Sequence, residues 1–279
     1  MEFIATLPSW LIGALFCGAV GGIGAVIGGA LQKRGHQWGR FVPILGIVVA
    51  VALSSGLVDW IRGATLNEET SARMLVETSP AFYGYLQENF PEDFDVLVGD
   101  ITAILKQGGT GATVGQRSAE AVAQIRRKYA PMVAQAADAD HAAIINSLIE
   151  FYSALDAEGT ELCNAVAIDG PVALLGRPDT EQFVQMMEPQ AVLAMQAAKS
   201  GIEAPVQRRA TTDEDWATTL DATAARGASQ GELDAITTLD PASPDLCPGL
   251  VKLLQTLNGE DTEAVRAVRA QYVADLTAA

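Results

Sequence analysis

The chain has 279 residues, is 49 % hydrophobic and carries 18 Lys/Arg against 34 Asp/Glu, a formal net charge of −16. That balance excludes a nucleic-acid binder, which needs a cationic face to displace counterions, and a domain lying flat on anionic lipid. The charge is also unevenly placed, because Met1 to Gly63 holds four Lys/Arg and two Asp/Glu, so a faintly basic piece precedes a strongly acidic remainder.

From Phe3 to Gln32 there is no charged residue, and Pro8-Ser9 supplies a helix start. As a helix, Ser9 to Gln32 would be roughly 36 Å long, enough to cross a hydrocarbon core of about 30 Å with some tilt. A second uncharged run, Phe41 to Val58, continues into Asp59-Trp60-Ile61, with Pro43 tolerated in its first turn. The pattern predicts a transmembrane hairpin over residues 1–63, with spans at about 9–32 and 41–61. Trp10, Trp38 and Trp60 fall where such a hairpin puts its interfacial aromatics. Lys33, Arg34 and Arg40 crowd the connecting turn, so the positive-inside rule places that turn in the cytoplasm and both termini outside it. The implied location is a cell inner membrane, crossed twice. A cleavable signal peptide fits poorly, since Met1 to Pro8 lacks a basic segment.

The first span is rich in glycine. Gly18/Gly22 and Gly24/Gly28 form two small-xxx-small tracks, and Gly21 and Gly29 flank Ala25 in a third. Such tracks let helix backbones approach closely in lipid. They serve either the packing of one span on the other or the association of several copies. Gly22-Ile-Gly24 lacks a third glycine and a preceding strand, so it is not a dinucleotide-binding loop. Neither Ser9–Gln32 nor the uncharged run Phe41–Val58 carries Asp, Glu, Lys, Arg or His, which argues against an ion pathway through one copy.

Beyond the hairpin, residues 64–279 read as an acidic, all-α domain of about eight to nine helices. Phe94, Leu97, Val98, Ile101, Ile104 and Leu105 share one helical face. Val122, Ile125, Tyr129, Met132 and Val133 repeat the pattern, with a kink expected near Pro131. Ile144, Ile145, Leu148, Phe151, Tyr152 and Leu155 make the cleanest stripe, and Leu246, Leu250, Leu253, Leu254 and Leu257 another. Val265, Val268, Tyr272 and Leu276 form the last. Ser79-Pro80, Asp179-Thr180, Thr212-Asp-Glu-Asp215 and Ser243-Pro244 are start signals. Gly108-Gly109, Gly159, Gly201 and Asn258-Gly259 read as terminators. Residues 200–244 hold few large apolar side chains and read as a peripheral helix pair or a mobile arm. The aromatic group Phe82, Tyr83, Tyr85, Phe90 and Phe94 is read as core packing, with a partner groove as the other use.

Of the three cysteines, Cys17 lies in the first span and reads as a small apolar residue. Cys163 and Cys247 form an even pair in the acidic domain, so an oxidising compartment would bridge them. Leu-Asp followed by an acid-Leu-Cys triplet occurs around both, but so few identities do not separate duplication from coincidence.

Signatures of chemistry are thin. His141, beside Asp138 and Asp140, is the one histidine of the domain; Asp-Ala-Asp-His reads as a helix cap before a metal site. Gly108 to Gly115 lacks the lysine of a phosphate loop and reads as an interhelical loop. No GxSxG is present, so no catalytic, cofactor-binding or metal residue is assigned. The expected function is a membrane-anchored periplasmic binding or scaffolding module. Its expected partners are the lipid bilayer and another membrane or periplasmic protein, a second copy of itself included. The alternatives are a subunit of an oligomeric membrane assembly or pore organised by the glycine tracks, and a hydrolase working with carboxylates alone.

Overall fold

The computed structural model describes residues 67–108, 111–174 and 181–278. The hairpin, with its glycine tracks, basic turn and tryptophans, lies outside the described residues, as does Asp179-Thr180. Among the described residues there are eleven α-helices, one 3-10 turn and no strand. None of these helices is long and apolar enough to cross a membrane.

Eleven helices exceed the expected eight or nine because single residues cut the chain. A residue before proline is driven out of the helical region by the ring. Ser79 (φ −148°, ψ 79°) therefore separates α1 (Glu68–Thr78) from α2 (Pro80–Asn89), and Phe90 (φ −137°, ψ 56°) separates α2 from α3 (Pro91–Lys106). Gly159 likewise divides α5 (Asp138–Glu158) from α6 (Thr160–Asp169), with a 3-10 turn at Gly170–Leu174 beyond. Helix α4 (Gly111–Ala134) takes in Gly111 to Gly115, so the expected glycine-rich loop is shorter than its composition suggests. Pro131 falls in its last turn.

The chain forms two compact units. Among the described residues, the first comprises 67–77, 95–108 and 111–119. Its described part contains most of α1, where Ser71 and Leu75 are buried. The Asn67 carboxamide accepts the Thr70 amide at 2.8 Å and caps that helix. Buried Thr102 donates its hydroxyl to Ser71 at 2.7 Å, which satisfies two polar groups inside the unit.

The second unit comprises Thr78–Phe94 and Glu120–Ala279. Its centre is α5, which packs against α10 (Leu246–Gly259) and α7 (Glu181–Glu203), and also against α6 and α11 (Glu263–Ala278). The six-residue α5 stripe from Ile144 to Leu155 is buried throughout. At roughly 1.5–3 kcal/mol for each large apolar side chain removed from water, such a stripe is what fixes the helix in place. Residues 200–244 include α8 (Asp213–Ala225), which packs on α11 and α10, and α9 (Gln230–Thr238), which packs on α10. Phe82, Phe90 and Phe94 are buried, and Phe90 meets Tyr129 with ring centroids 4.7 Å apart.

Gly201 does not end a helix. It lies inside α7, which continues to Glu203, and is buried against the end of α4. A Cβ there would overlap the Met132 carbonyl oxygen and come within 3.2 Å of the Ala136 amide. The glycine is a point of close backbone approach, a need the local sequence does not reveal.

Candidate functional site

Cys163 lies in the first turn of α6 and Cys247 at the start of α10, and the structure brings them to disulfide distance, with Cα atoms 5.9 Å apart. Both are fully buried, and each sulfur is 3.8 Å from the Tyr152 carbonyl oxygen of α5. The bridge thus ties two helices together beneath the central one. The weak repeat around the cysteines is not structural: Leu155 is buried, whereas its counterpart Leu239 is 58 % exposed and left-handed (φ 51°).

The next polar group is at the corner where α4 ends and α5 begins. The Asp138 and Asp140 carboxylates lie in the first turn of α5, but the cap residue is Ala137, which makes no side-chain cap bond, and the Ser200 hydroxyl accepts the Ala137 amide at 3.5 Å. The expected side-chain cap is therefore absent, and the acids act on the helix end by charge alone. Asp138 instead accepts Arg208 Nη2 at 2.6 Å. Partial burial works against its ionised form, yet the Arg208 hydrogen bond and charge prevail and hold its carboxyl below the usual range.

His141 points inward and is wholly buried. Its Nε2 lies 2.6 Å from the Val133 carbonyl oxygen, which can only accept, so Nε2 carries the proton. Nδ1 has no partner, and neither does Nε of Arg269, a buried guanidinium whose Nη2 donates to the Glu260 carbonyl. Burial is the main reason the imidazole is pushed below its ordinary value, and the Arg208 and Arg269 charges add to it. This corner is the only place among the described residues where a histidine and two arginines act on one another.

Two other charge clusters serve helix starts. Thr212 and Asp215 form a reciprocal capping box at α8, and Arg209 makes a two-pronged contact with Asp215, 2.6 Å on each side, while reaching Glu263 at 2.8 Å. Arg209 and then Thr212 hold the Asp215 carboxyl well below the carboxylate range. Ser229 and Glu232 form a second box at α9, with Lys252 bonding both Glu232 oxygens and the Gly227 carbonyl. At α2 the cap comes from far away: Glu188 accepts the Ser79 hydroxyl and the Ala81 and Phe82 amides.

Groups of three or more His, Cys, Asp or Glu side chains with metal-holding geometry are not found among the described residues. Sequence reasoning missed the inward turn of His141, the burial of Arg269 and the reach of Glu188. The one available signal was the isolation of His141 on the same helix as the strongest apolar stripe. Comparison with protein-family models, characterised proteins and solved structures yields no match.

Proposed function

We propose that the chain is a membrane-anchored binding or scaffolding module, held in a bacterial inner membrane by its N-terminal hairpin and exposing its helical part outside the cytoplasm. The observation that carries this reading is the buried Cys163–Cys247 pair, because structural disulfides belong to oxidising compartments. A premise of a different kind supports it: Lys33, Arg34 and Arg40 would keep the hairpin turn in the cytoplasm, leaving both termini outside. The most tightly bonded ionisable groups favour a structural module too, since Asp215, Glu232 and Glu188 spend their oxygens on helix ends. The partners are then the bilayer and a membrane or periplasmic protein. Self-association through Gly18, Gly22, Gly24 and Gly28 is the second reading, favoured by their spacing.

Protease treatment of intact spheroplasts tests the proposal. The C-terminal region should be cleaved while the hairpin turn is spared. A region cut only after lysis, with Cys163 and Cys247 labelled by thiol reagents without prior reduction, sinks the topology and the role together. Replacing Gly22 and Gly24 with leucine separates the two readings: loss of a detergent-stable oligomer favours the assembly, and an unchanged monomeric mass favours the simple anchor.

A further inference from the structure

Residues 204–208 run from the end of α7 as an exposed strap laid over the α4–α5 corner, and Arg209, held by Asp215 and Glu263, anchors its far end. Its ties are few. The Val206 amide donates to the Gln135 carbonyl at 2.8 Å. The Arg208 side chain, 13 % exposed, donates to the Ala136 carbonyl at 2.9 Å and to Asp138 at 2.6 Å. Behind that arginine sits His141, fully buried, its Nε2–H given to Val133 and its Nδ1 without a partner.

We propose that His141 is an acid-sensitive latch: neutral, it lets Arg208 pin the strap to the corner; protonated, it drives Arg208 and the strap away. The charged groups acting on the imidazole are Asp138 on its own helix, Arg208 on the strap and Arg269 on α11. Among the described residues, α7 and α10, which also pack on α5, add no charge to that set. A second proton would add a cation to a corner where the Arg208 and Arg269 charges already act on the imidazole, at the positive end of the α5 dipole, with a new Nδ1–H and no acceptor for it. Asp138 favours the imidazolium but offsets the two guanidiniums only in part, because it is already engaged by Arg208 and is 46 % exposed. Water admitted by a displaced Arg208 relieves both problems, and a single backbone hydrogen bond, from Val206 to Gln135, ties the strap to the corner.

The sign follows from burial. The imidazole is depressed while the corner is closed and returns to its ordinary value near 6.5 when it opens, so acid favours opening. Opening should increase by up to about tenfold between pH 7.5 and 5.5.

The experiment is amide hydrogen exchange on the full chain in detergent micelles across that range, with rates corrected for the intrinsic pH effect. The Val206 amide and the His141 amide, which donates to Ala137, should lose protection as the pH falls, while residues 250–257 of α10 keep theirs. In His141→Gln the side-chain amide still donates to Val133 but does not titrate, so the pH dependence should vanish. A flat corrected profile for the unmodified protein overturns the proposal, and so does an equal rise in the variant. Should that variant not fold, the imidazole resonances of the unmodified protein decide. A His141 shift that moves with Val206 exposure supports the latch, and titration like a free imidazole with Val206 still protected refutes it.

Discussion

Gly201 of α7 lies against the carbonyl oxygen of Met132 so closely that no side chain fits between the two helices. The usual rule would have Gly→Ala in a helix interior stabilise by about 0.5–1 kcal/mol, because alanine loses less backbone entropy. Here a Cβ meets backbone, which cannot swing aside as a flexible side chain would. Forced overpacking costs about 1–3 kcal/mol and outweighs the propensity gain. Gly201→Ala is therefore expected to destabilise the second unit, measured as a lower denaturant midpoint. Gly84, inside α2 with nothing within 4 Å of its would-be Cβ, is the internal control, and Gly84→Ala should raise the midpoint slightly.

The Cys163–Cys247 bridge predicts a thiol count and an energy. Alkylation of the denatured, unreduced protein should modify one of the three cysteines, Cys17, and reduction should expose the other two. Closing a loop with a sequence separation of 84 limits the unfolded chain, and on the entropy model removing the link costs about 4.5 kcal/mol. The double variant Cys163→Ala/Cys247→Ala should lose stability of that order in equilibrium unfolding. A loss under about 1 kcal/mol would mean that the unfolded state is already compact around these helices.

The helices were legible in the sequence where one face alone had to be buried. The α5 stripe is the clearest case: Ile144, Ile145, Leu148, Phe151, Tyr152 and Leu155 recur at helical spacing, and all are buried. The cysteine pairing was legible by parity, two cysteines in one domain. The features that escaped depend on distant chain. Gly201 looks like a terminator until Met132 is placed beside it, and nothing near Ser79 points to Glu188, 109 residues away. Arg269 resembles a surface residue in sequence. It is buried because Val265, Ala267, Val268, Ala270 and Val273 are too, so α11 hides more than a single face. His141 escaped for a related reason, since flanking acids suggest a helix cap while its own side chain turns to the α4 end.

The Arg209–Asp215–Thr212 cluster predicts part of the acid behaviour. Asp215 is held below its unfolded value near 3.9, so the stability it contributes is present above that pH and fades as the pH falls beneath it. Asp215→Asn should flatten the stability profile below about pH 4 while leaving the limb near His141's range unchanged. Thr212→Ala, which removes the cap hydroxyl, should cost about 1 kcal/mol at neutral pH. Chemical denaturation at a series of pH values distinguishes the two. A Thr212→Ala variant of unaltered stability would show that the backbone of α8 needs no cap once it is packed on α11.

Glu188 offers a test of capping at long range. Its Oε1 accepts the Ser79 hydroxyl and the Ala81 and Phe82 amides, so α7 supplies what the first turn of α2 lacks. The Ser79 hydrogen bond, aided by the two amides, lowers its carboxyl from the ordinary range. The contribution is thus complete above the usual glutamate value near 4.3 and is lost as the pH falls below it. Glu188→Ala should destabilise by about 1 kcal/mol and should raise hydrogen exchange at Phe82 and Tyr83 more than in α10. Glu188→Gln keeps an oxygen to accept these donors but loses the charge, so it should fall between the two. If Glu188→Ala leaves Phe82 as protected as before, then the burial of Phe82 and Leu86, and not the borrowed carboxylate, anchors the start of that helix.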